Sequence, residues 1–576
     1  MKNENKNILD LNRRRFVQGL SSGGVLASLG LMSSSVLASK QVMQEVPVLD
    51  GPVFDMTIEE VMVNFTGQTR VATAINGSIP APTLRMREGD DITIRVTNKM
   101  AVSSSIHWHG LILPYTMDGV PGLSFDGIAP GETYIYKFKA IQNGTYWYHS
   151  HSGFQEQTGM YGSIVIEPRN NDVVSFDRDY VVLLSDWTDE KPDAVYAKLK
   201  KMSHYYNTRE RTLSDFTKEV KQMGLSKAKK SRDMWNQMRM SDRDLSDVTG
   251  MTYTFLTNGK TPNEGWMGSF KPGERVRLRF INGSAMTFFD IRIPGVKMEV
   301  IASDGQYVKP VKGIDEFRIG VAETYDVIVQ PTQGSHAIFA QTIDRSGYAF
   351  GTLTSNGQKA KAPAMDVGPI LTHTDMGMDM GGMDMSDPAM AGMDHSAMDM
   401  GSMAAAKPRV DVKRGVQTDM MASGPKVRLD DPGVGLRNNG RRVLTYADLR
   451  NYYPTQDKRG PNREIELHMT GNMSRYMWSI NGVAYKDAKP IGLKFGERVR
   501  FTLINDTMMN HPVHLHGMWS ELESGDDNYL PKKHTIVNQP GAKVSYLVTA
   551  DARGQWAYHC HMLYHMKSMF RRVVVS

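Results

Sequence analysis

The sequence predicts an all-β protein of three Greek-key sandwich domains, carrying one helical insert and one methionine-rich connector. Two repeated patterns and one periodicity predict it. Three segments align without gaps: Gly89-DDITIRVT-Asn98, Gly273-ERVRLRFI-Asn282 and Gly496-ERVRFTLI-Asn505. Each is a turn glycine, an alternating strand and an asparagine. Pro130-Gly131 precedes "GTYWYHSH" and Pro540-Gly541 precedes "GQWAYHCH" at the same spacing, whereas the middle copy reads "AETYDVIV" and then "GSHAIFAQT", without the histidine pair. Alternation at period two in Val, Ile, Phe and Thr marks half-buried strands. Units of about 150 residues repeated in this way suit sandwich domains.

A chain of 576 residues exceeds what one hydrophobic core organises. The domains are expected at 44–170, 172–360 and 436–576. Residues 190–250, polar, rich in Lys and Arg and helical in pattern, interrupt the second. A solvated helical excursion is the simplest reading of them, with a lid or docking surface as the alternative. Residues 361–435 lack periodicity and connect the second domain to the third.

The N-terminus reads as a targeting segment. Asn12-Arg13-Arg14-Arg15-Phe16-Val17 leads into a Gly/Ser/Leu-rich stretch and then Val36-Leu37-Ala38, the pattern of a twin-arginine signal cleaved after Ala38. So much Gly and Ser in 19–37 argues against a membrane anchor. Twin-arginine export carries folded proteins, so a periplasmic protein that folds before it crosses the membrane is expected. Removing 1–38 takes away five Lys/Arg and two Asp/Glu, so the net charge falls from +6 to +3. That is no nucleic-acid footprint. A single cysteine, Cys560, excludes an intramolecular disulfide.

Four short motifs take ten of the sixteen histidines: His107-Trp-His109, His149-Ser-His151, His511-Pro-Val-His514-Leu-His516, and His559-Cys560-His561 followed by His565. His107 lies nine residues after Asn98 and His514 nine after Asn505, while the same offset in the middle repeat lands on Ile291. The outer domains therefore carry ligand motifs at equivalent positions. On a strand, residues i and i+2 share a face and i+1 points away. His107, His109, His149, His151, His514, His516, His559 and His561 can surround one polynuclear cluster. Cys560, His511 and His565 can form a separate mononuclear site. A trigonal His2Cys site with a distant methionine is a blue-copper electron-transfer site. Structural zinc, which wants four closed ligands, fits poorly.

These motifs carry a resemblance. "SIHWHGLILP", "MDGVPGLSFDGIAPGETY", "GTYWYHSHSGFQEQTGMYG", "HPVHLHGMW" and "WAYHCHMLYHM" resemble the three-domain multicopper oxidases, and more narrowly the bacterial copper-resistance protein A group, over essentially the whole mature chain. The resemblance implies three cupredoxin-like domains and four copper ions, one type 1, one type 2 and two type 3. It makes His107 and His514 the type 2 ligands, and His109, His149, His151, His516, His559 and His561 the type 3 ligands. His511, Cys560 and His565 become type 1 ligands, with Met569 as the axial residue. Related sequences usually place that residue five positions after the last histidine; here it comes four after His565, without the family's glycine. The resemblance also implies that Asp118 supplies protons. Met566 stands where related oxidases often carry a further acid.

Substrate is the next question. Asp506 and Met509, just before His511, resemble the acid–methionine pair through which cuprous oxidases take Cu(I); packing of Met508 or Met509 beneath the copper site is the plainer reading. Thioether is a soft ligand suited to Cu(I). The segment 375–403 holds Met376, Met378, Met380, Met383, Met385, Met390, Met393, Met398, Met400, Met403 and His395 among Asp, Gly and Ser. It is too polar for a core, and capture of additional Cu(I) is the expectation. The expected partners are O2, Cu(I) or small phenolic donors, the twin-arginine export machinery, and periplasmic or outer-membrane copper-resistance proteins, with no nucleic acid. A cuprous oxidase of copper tolerance leads; a laccase-like phenol oxidase and a copper-sequestering protein are the competing functions.

Overall fold

The computed structural model describes residues 46–378, 410, 412–413 and 415–576. The expected signal, 1–38, lies outside the described residues, as do Met380, Met383, Met385, Met390, Met393, His395, Met398, Met400 and Met403.

Each sequence repeat builds two sheets. In the first, Arg70–Ile75, Val53–Val63, Asp91–Asn98 and Thr133–Lys139 form one sheet, and Val48–Asp50, Ala81–Arg87, Tyr161–Glu167, Gly144–His149 and His107–His109 the other. The second repeat gives six- and five-stranded sheets and the third seven- and five-stranded ones. The repeated strand plays one part throughout. Asp91–Asn98, Val276–Asn282 and Arg498–Asn505 each pair parallel with the domain's earlier long strand. Each pairs antiparallel with a later one, Thr133–Lys139, Thr324–Val329 or Ala542–Thr549.

The recurring glycine and asparagine have a physical reason. Gly89, Gly273 and Gly496 hold φ of +93°, +89° and +80°, open to glycine at no steric cost. Asn98, Asn282 and Asn505 are fully buried, and their amides staple the strand end to two other loops. Asn98 Nδ2 donates to the carbonyls of Val102 and Ile128, both at 2.8 Å. Asn282 donates to Thr287 (2.8 Å) and Ile319 (3.2 Å), and Asn505 to Met509 (2.7 Å) and Asn538 (3.0 Å). Buried carbonyls that would otherwise go unpaired are satisfied in the same way three times. The middle repeat even keeps the Pro-Gly turn with Val321-Ala322 in place of both residues. Ala322 holds φ +70°, and its N–H reaches the Asn282 carbonyl (2.9 Å) as those of Gly131 and Gly541 reach Asn98 (2.7 Å) and Asn505 (3.0 Å).

One apolar cluster runs through the second and third domains and takes in Trp147 and Tyr161 of the first. A second fills the first sandwich around Trp108 and Tyr136.

The insert departs from the solvated excursion that its charge suggests. It forms three helices, α1 (Pro192–Lys201), α2 (Leu213–Met223) and α3 (Leu225–Met238). In α1, proline at the first turn and Asp193 suit the start, and Lys198, Lys200 and Lys201 suit the end. Thr212 and Asp215 close a capping box on α2. Val195, Leu199 and Trp235 turn inward, and the tail 244–249 after α3 is buried throughout. Lys200 Nζ donates to the Tyr476 carbonyl of the third domain at 2.8 Å. Outward charges mask a short inward tail, so the insert packs on the third domain. No helix among the described residues is long and apolar enough to cross a membrane.

Candidate metal centre

Two antiparallel strand pairs bring the histidine motifs together across the seam between the first and third domains. His107–His109 pairs antiparallel with Gly144–His149, setting His107 opposite His149. His511–Leu515 pairs antiparallel with Gly554–Cys560, setting His514 opposite His559. The eight histidines then sort into sets whose ring nitrogens lie within 4.8 Å of one another: His109, His149 and His561; His151, His516 and His559; and His107 and His514 with His516. In the first set His149 and His561 meet Nε2 to Nε2 at 3.3 Å. In the second, His559 Nε2 lies 3.1 Å from His516 Nε2 and 3.5 Å from His151 Nε2. His559 and His561 share a face, and their two-residue offset sets His559 in one triad and His561 in the other.

The opposite ring nitrogens are held from behind. His107 Nδ1 bonds the Asp118 carbonyl (2.8 Å), His149 Nδ1 the Glu156 carboxylate (2.7 Å), and His514 Nδ1 the His534 carbonyl (2.6 Å). His516 Nδ1 bonds the Asp118 carboxylate at 2.9 Å. These bonds select the tautomer that leaves Nε2 free to ligate. Asp118 serves both domains, since its carboxylate also lies 3.3 Å from His107 Nδ1. Trp147 stacks on His149 (4.4 Å) and Phe570 on His559 (5.5 Å), fixing the rings.

The residues fit a metal on two counts. Burial pushes the pKa of His109, His149, His151, His514, His516 and His561 well below the usual histidine value and that of His559 to about 4, so the imidazoles are neutral donors. The Nε2 atoms of His107, His109 and His514 are buried with no hydrogen-bond partner, a costly state that a cation relieves.

The mononuclear set is equally well made. His511 Nδ1 and His565 Nδ1 lie 3.5 and 3.9 Å from Cys560 Sγ. His511 Nε2 bonds Thr507 Oγ1 (2.7 Å), and His565 Nε2 bonds Asp247 Oδ2 (2.6 Å), so both rings turn Nδ1 to the sulfur. Trp478 stacks on His565 at 3.9 Å. Burial pushes the Cys560 thiol up, so its thiolate needs a cation beside it. A short helix, α4 (Leu563–Met566), tightens the four-residue step from His565. Met569 N–H reaches the His565 carbonyl (2.9 Å), and the Met569 carbonyl accepts the Cys560 N–H (3.1 Å). Met569 is fully buried beside Cys560.

Met508, Met509 and Met376 are also fully buried, in the shared apolar cluster, with Met378 packed against it. Asp506 accepts the Ala422 N–H (2.8 Å) and pairs with His468 Nδ1 (2.6 Å), so a connector residue closes over it. Asp375 pairs with Arg437 (2.5 Å), which makes the start of the methionine-rich segment part of the folded body.

Sequence reasoning missed four polar residues here: Asp247, Glu156, His468 and His534. Asp247 comes from the tail of the insert, 318 residues from His565. Glu156 comes from the loop after His151 and holds His149 from behind. Neither belongs to a spacing pattern. His534 did carry a signal, as it borders Thr535–Asn538, the strand that pairs with His511–Leu515.

Comparison with known proteins agrees with this geometry. Multicopper oxidase family models match residues 57–171, 178–360 and 458–576. The chain is 54% identical over 587 residues to a copper resistance protein A homolog of Pseudomonas syringae pv. tomato, covering 98% of this chain and 99% of that one. It is 52% identical to copper resistance protein A of Escherichia coli, covering 99% and 100%. Among solved structures, the fold is similar to Fet3p, a multicopper oxidase that functions in iron import (TM-score 0.62, 19% identity, 92% of this chain and 91% of that one). It is also similar to a laccase from Botrytis aclada (TM-score 0.61, 20% identity, 92% and 88%). The chain belongs to the multicopper oxidase family and, within it, to the group of copper resistance protein A. It is an oxygen-dependent oxidoreductase with copper cofactors and cupredoxin-like domains.

Proposed function

We propose that the protein is a periplasmic cuprous oxidase of copper tolerance, exported by the twin-arginine route and loaded with four copper ions. His511, Cys560 and His565, with Met569 as a further candidate ligand, would hold type 1 copper. His107 and His514 hold type 2. The triads His109/His149/His561 and His151/His516/His559 each hold one type 3 copper. When bound, copper accepts single electrons at the first centre and reduces dioxygen to water at the other three. The chain's own part is to join the two centres by one residue step, from Cys560 to His559 and to His561. Asp118 and Glu156 fix the imidazole tautomers, and Asp118 supplies protons to the cluster. Asp506 and Met509 form an inner stage of electron entry.

The observation that favours Cu(I) over phenols is the covering of His565. Its outer nitrogen is capped by the buried Asp247 carboxylate under the insert, where a bulky ring would need an open groove. A small cation is drawn to that carboxylate. The names of the relatives, copper resistance proteins, agree with this reading. The methionine-rich segment then captures additional Cu(I).

Steady-state oxygen uptake tests the proposal. Uptake is expected with Cu(I) and far less with dimethoxyphenol; phenol preference would make the protein laccase-like, and no uptake with either at full copper loading would make it a store. Deleting 379–403, which spares the packed Met376 and Met378, is expected to lower copper bound per chain with the blue absorption intact. Unchanged stoichiometry would end the capture role.

A further inference from the structure

The middle domain supplies no histidine to the four motifs, yet one of its turns reaches the seam. Ser303-Asp304-Gly305-Gln306 joins Met298–Ser303 to Gln306–Ile314. Asp304 and Gly305 hold φ of +50° and +76°, the two positive values of a tight hairpin turn. On one side this turn meets the first domain. A Cβ at Gly144 would lie 2.0 Å from the Gly305 carbonyl oxygen, and one at Gly305 would lie 2.2 Å from the Tyr146 ring. Gly144 and Tyr146 belong to the strand that ends at His149. On the other side the fully buried Asp304 carboxylate enters the third domain, where Oδ2 accepts the N–H groups of both His534 and Thr535 at 3.1 Å.

His534 and Thr535 open the strand beside His511–Leu515, with Thr535 in register with His514. The His534 carbonyl takes His514 Nδ1 at 2.6 Å. That carbonyl and the Thr535 N–H belong to one planar peptide unit, so the bond to Asp304 on one side sets the direction of the carbonyl on the other. The carboxylate is anchored in turn. Oδ1 accepts the Thr324 N–H at 3.1 Å, and Oδ2 pairs at 3.0 Å with the buried Lys533 ammonium, which Glu323 Oε1 also holds at 3.0 Å.

We propose that Asp304 is a positioning residue for His514, acting from the middle domain through the His534–Thr535 peptide so that the His514 Nε2 faces the cluster. The inference rests on the reading of His514 as a type 2 copper ligand. His107, the other ligand of that copper under the same reading, is backed by the Asp118 carbonyl of its own domain, so Asp304 acts on one ligand of the two.

The copper-loaded full chain is compared with Asp304→Ala, Asp304→Asn and Thr324→Val by electron paramagnetic resonance and by copper retained against EDTA. Thr324→Val is the control, since it removes the Oγ1 bond to the Thr145 carbonyl (3.1 Å) at the same junction and leaves His534 alone. Asp304→Ala is expected to shift the type 2 hyperfine splitting and to release type 2 copper about tenfold faster, with the blue band and type 1 signal unchanged. Asp304→Asn, which keeps one acceptor, shifts the splitting less, and Thr324→Val leaves it as in the wild type. A wild-type type 2 spectrum in Asp304→Ala overturns the inference, as do equal changes in the type 1 and type 2 signals or an equal shift in Thr324→Val. If Asp304→Ala fails to fold, a wild-type type 2 spectrum in Asp304→Asn overturns it. A wild type with no type 2 signal at full loading would sink the four-copper reading itself, a separate failure.

Discussion

The Asp247 carboxylate takes the outer nitrogen of His565 with neither group exposed. Burial raises its pKa to about 7. Asp247→Asn keeps an acceptor but removes the charge that favours the oxidised type 1 site and attracts a cation. The expected result is a higher type 1 potential and a fall of about tenfold in kcat/KM for Cu(I), ~1.4 kcal/mol of lost stabilisation, with the type 2 spectrum unchanged. An unchanged potential would show that the contact only packs. His468 offers a test of stability. Burial alone would lower its pKa, but Asp506 and then Glu466 hold it above the ordinary value. A raised histidine pKa favours the folded state below the unfolded value, about 6.5, and that contribution is lost as pH rises through the folded value. The gap in Tm between wild type and His468→Gln should therefore be widest near pH 6 and narrow toward alkaline pH; a gap that widens with pH would refute the pairing. Legibility at this scale followed periodicity. His559, Cys560 and His561 were readable because strand alternation alone dictates their directions. Asp247, Glu156 and His468 were not, because a lone acid or histidine brought in from a distant loop leaves no spacing behind it.

Among the elements, the asparagine staple separates fold from metal. Asn282 ties a domain without copper ligands, whereas Asn505 holds the Met509 carbonyl in the loop that leads to His511. Asn282→Ala leaves two carbonyls short of a donor and is expected to cost about 2–4 kcal/mol at ~1–2 kcal/mol per lost partner, read by denaturant unfolding, with copper spectra unaltered. Asn505→Ala should cost a similar amount and also perturb the type 1 band. Equal spectra in both variants would mean that the loop is held by other contacts. The repeat made the three sandwiches legible, since glycine, strand and asparagine recur in register. The insert was legible as helical but not in its placement. Its charge pattern describes the face in water, and the buried stretch 244–249 is too short to show a period.

Across the whole molecule, the cluster lies on a seam. The first domain gives His107, His109, His149 and His151, the third gives His514, His516, His559 and His561, and Asp118 bonds histidines of both. Under the proposed copper assignment the cluster is complete only when the two are apposed, so each site filled at about 1,000 times its Kd would add ~4 kcal/mol to the folded state. Stripping copper with a chelator should lower Tm and speed amide exchange in His107–His109 and His511–Leu515, while Val276–Asn282 exchanges as before. Equal acceleration in all three strands would contradict a seam-centred role. The three-domain plan and the gathering of the motif residues into two clusters were visible in sequence because the motifs sit at equivalent offsets in two repeats. The division of six of these histidines into two triads was not, because it depends on how the two strand pairs meet.

The middle domain, with its left-handed Ala322 and its own asparagine staple, shows that this architecture closes without any ion to organise it. The sandwich is thus closed by backbone pairing, and the histidine motifs of the outer domains are additions to a frame that the middle domain builds without them.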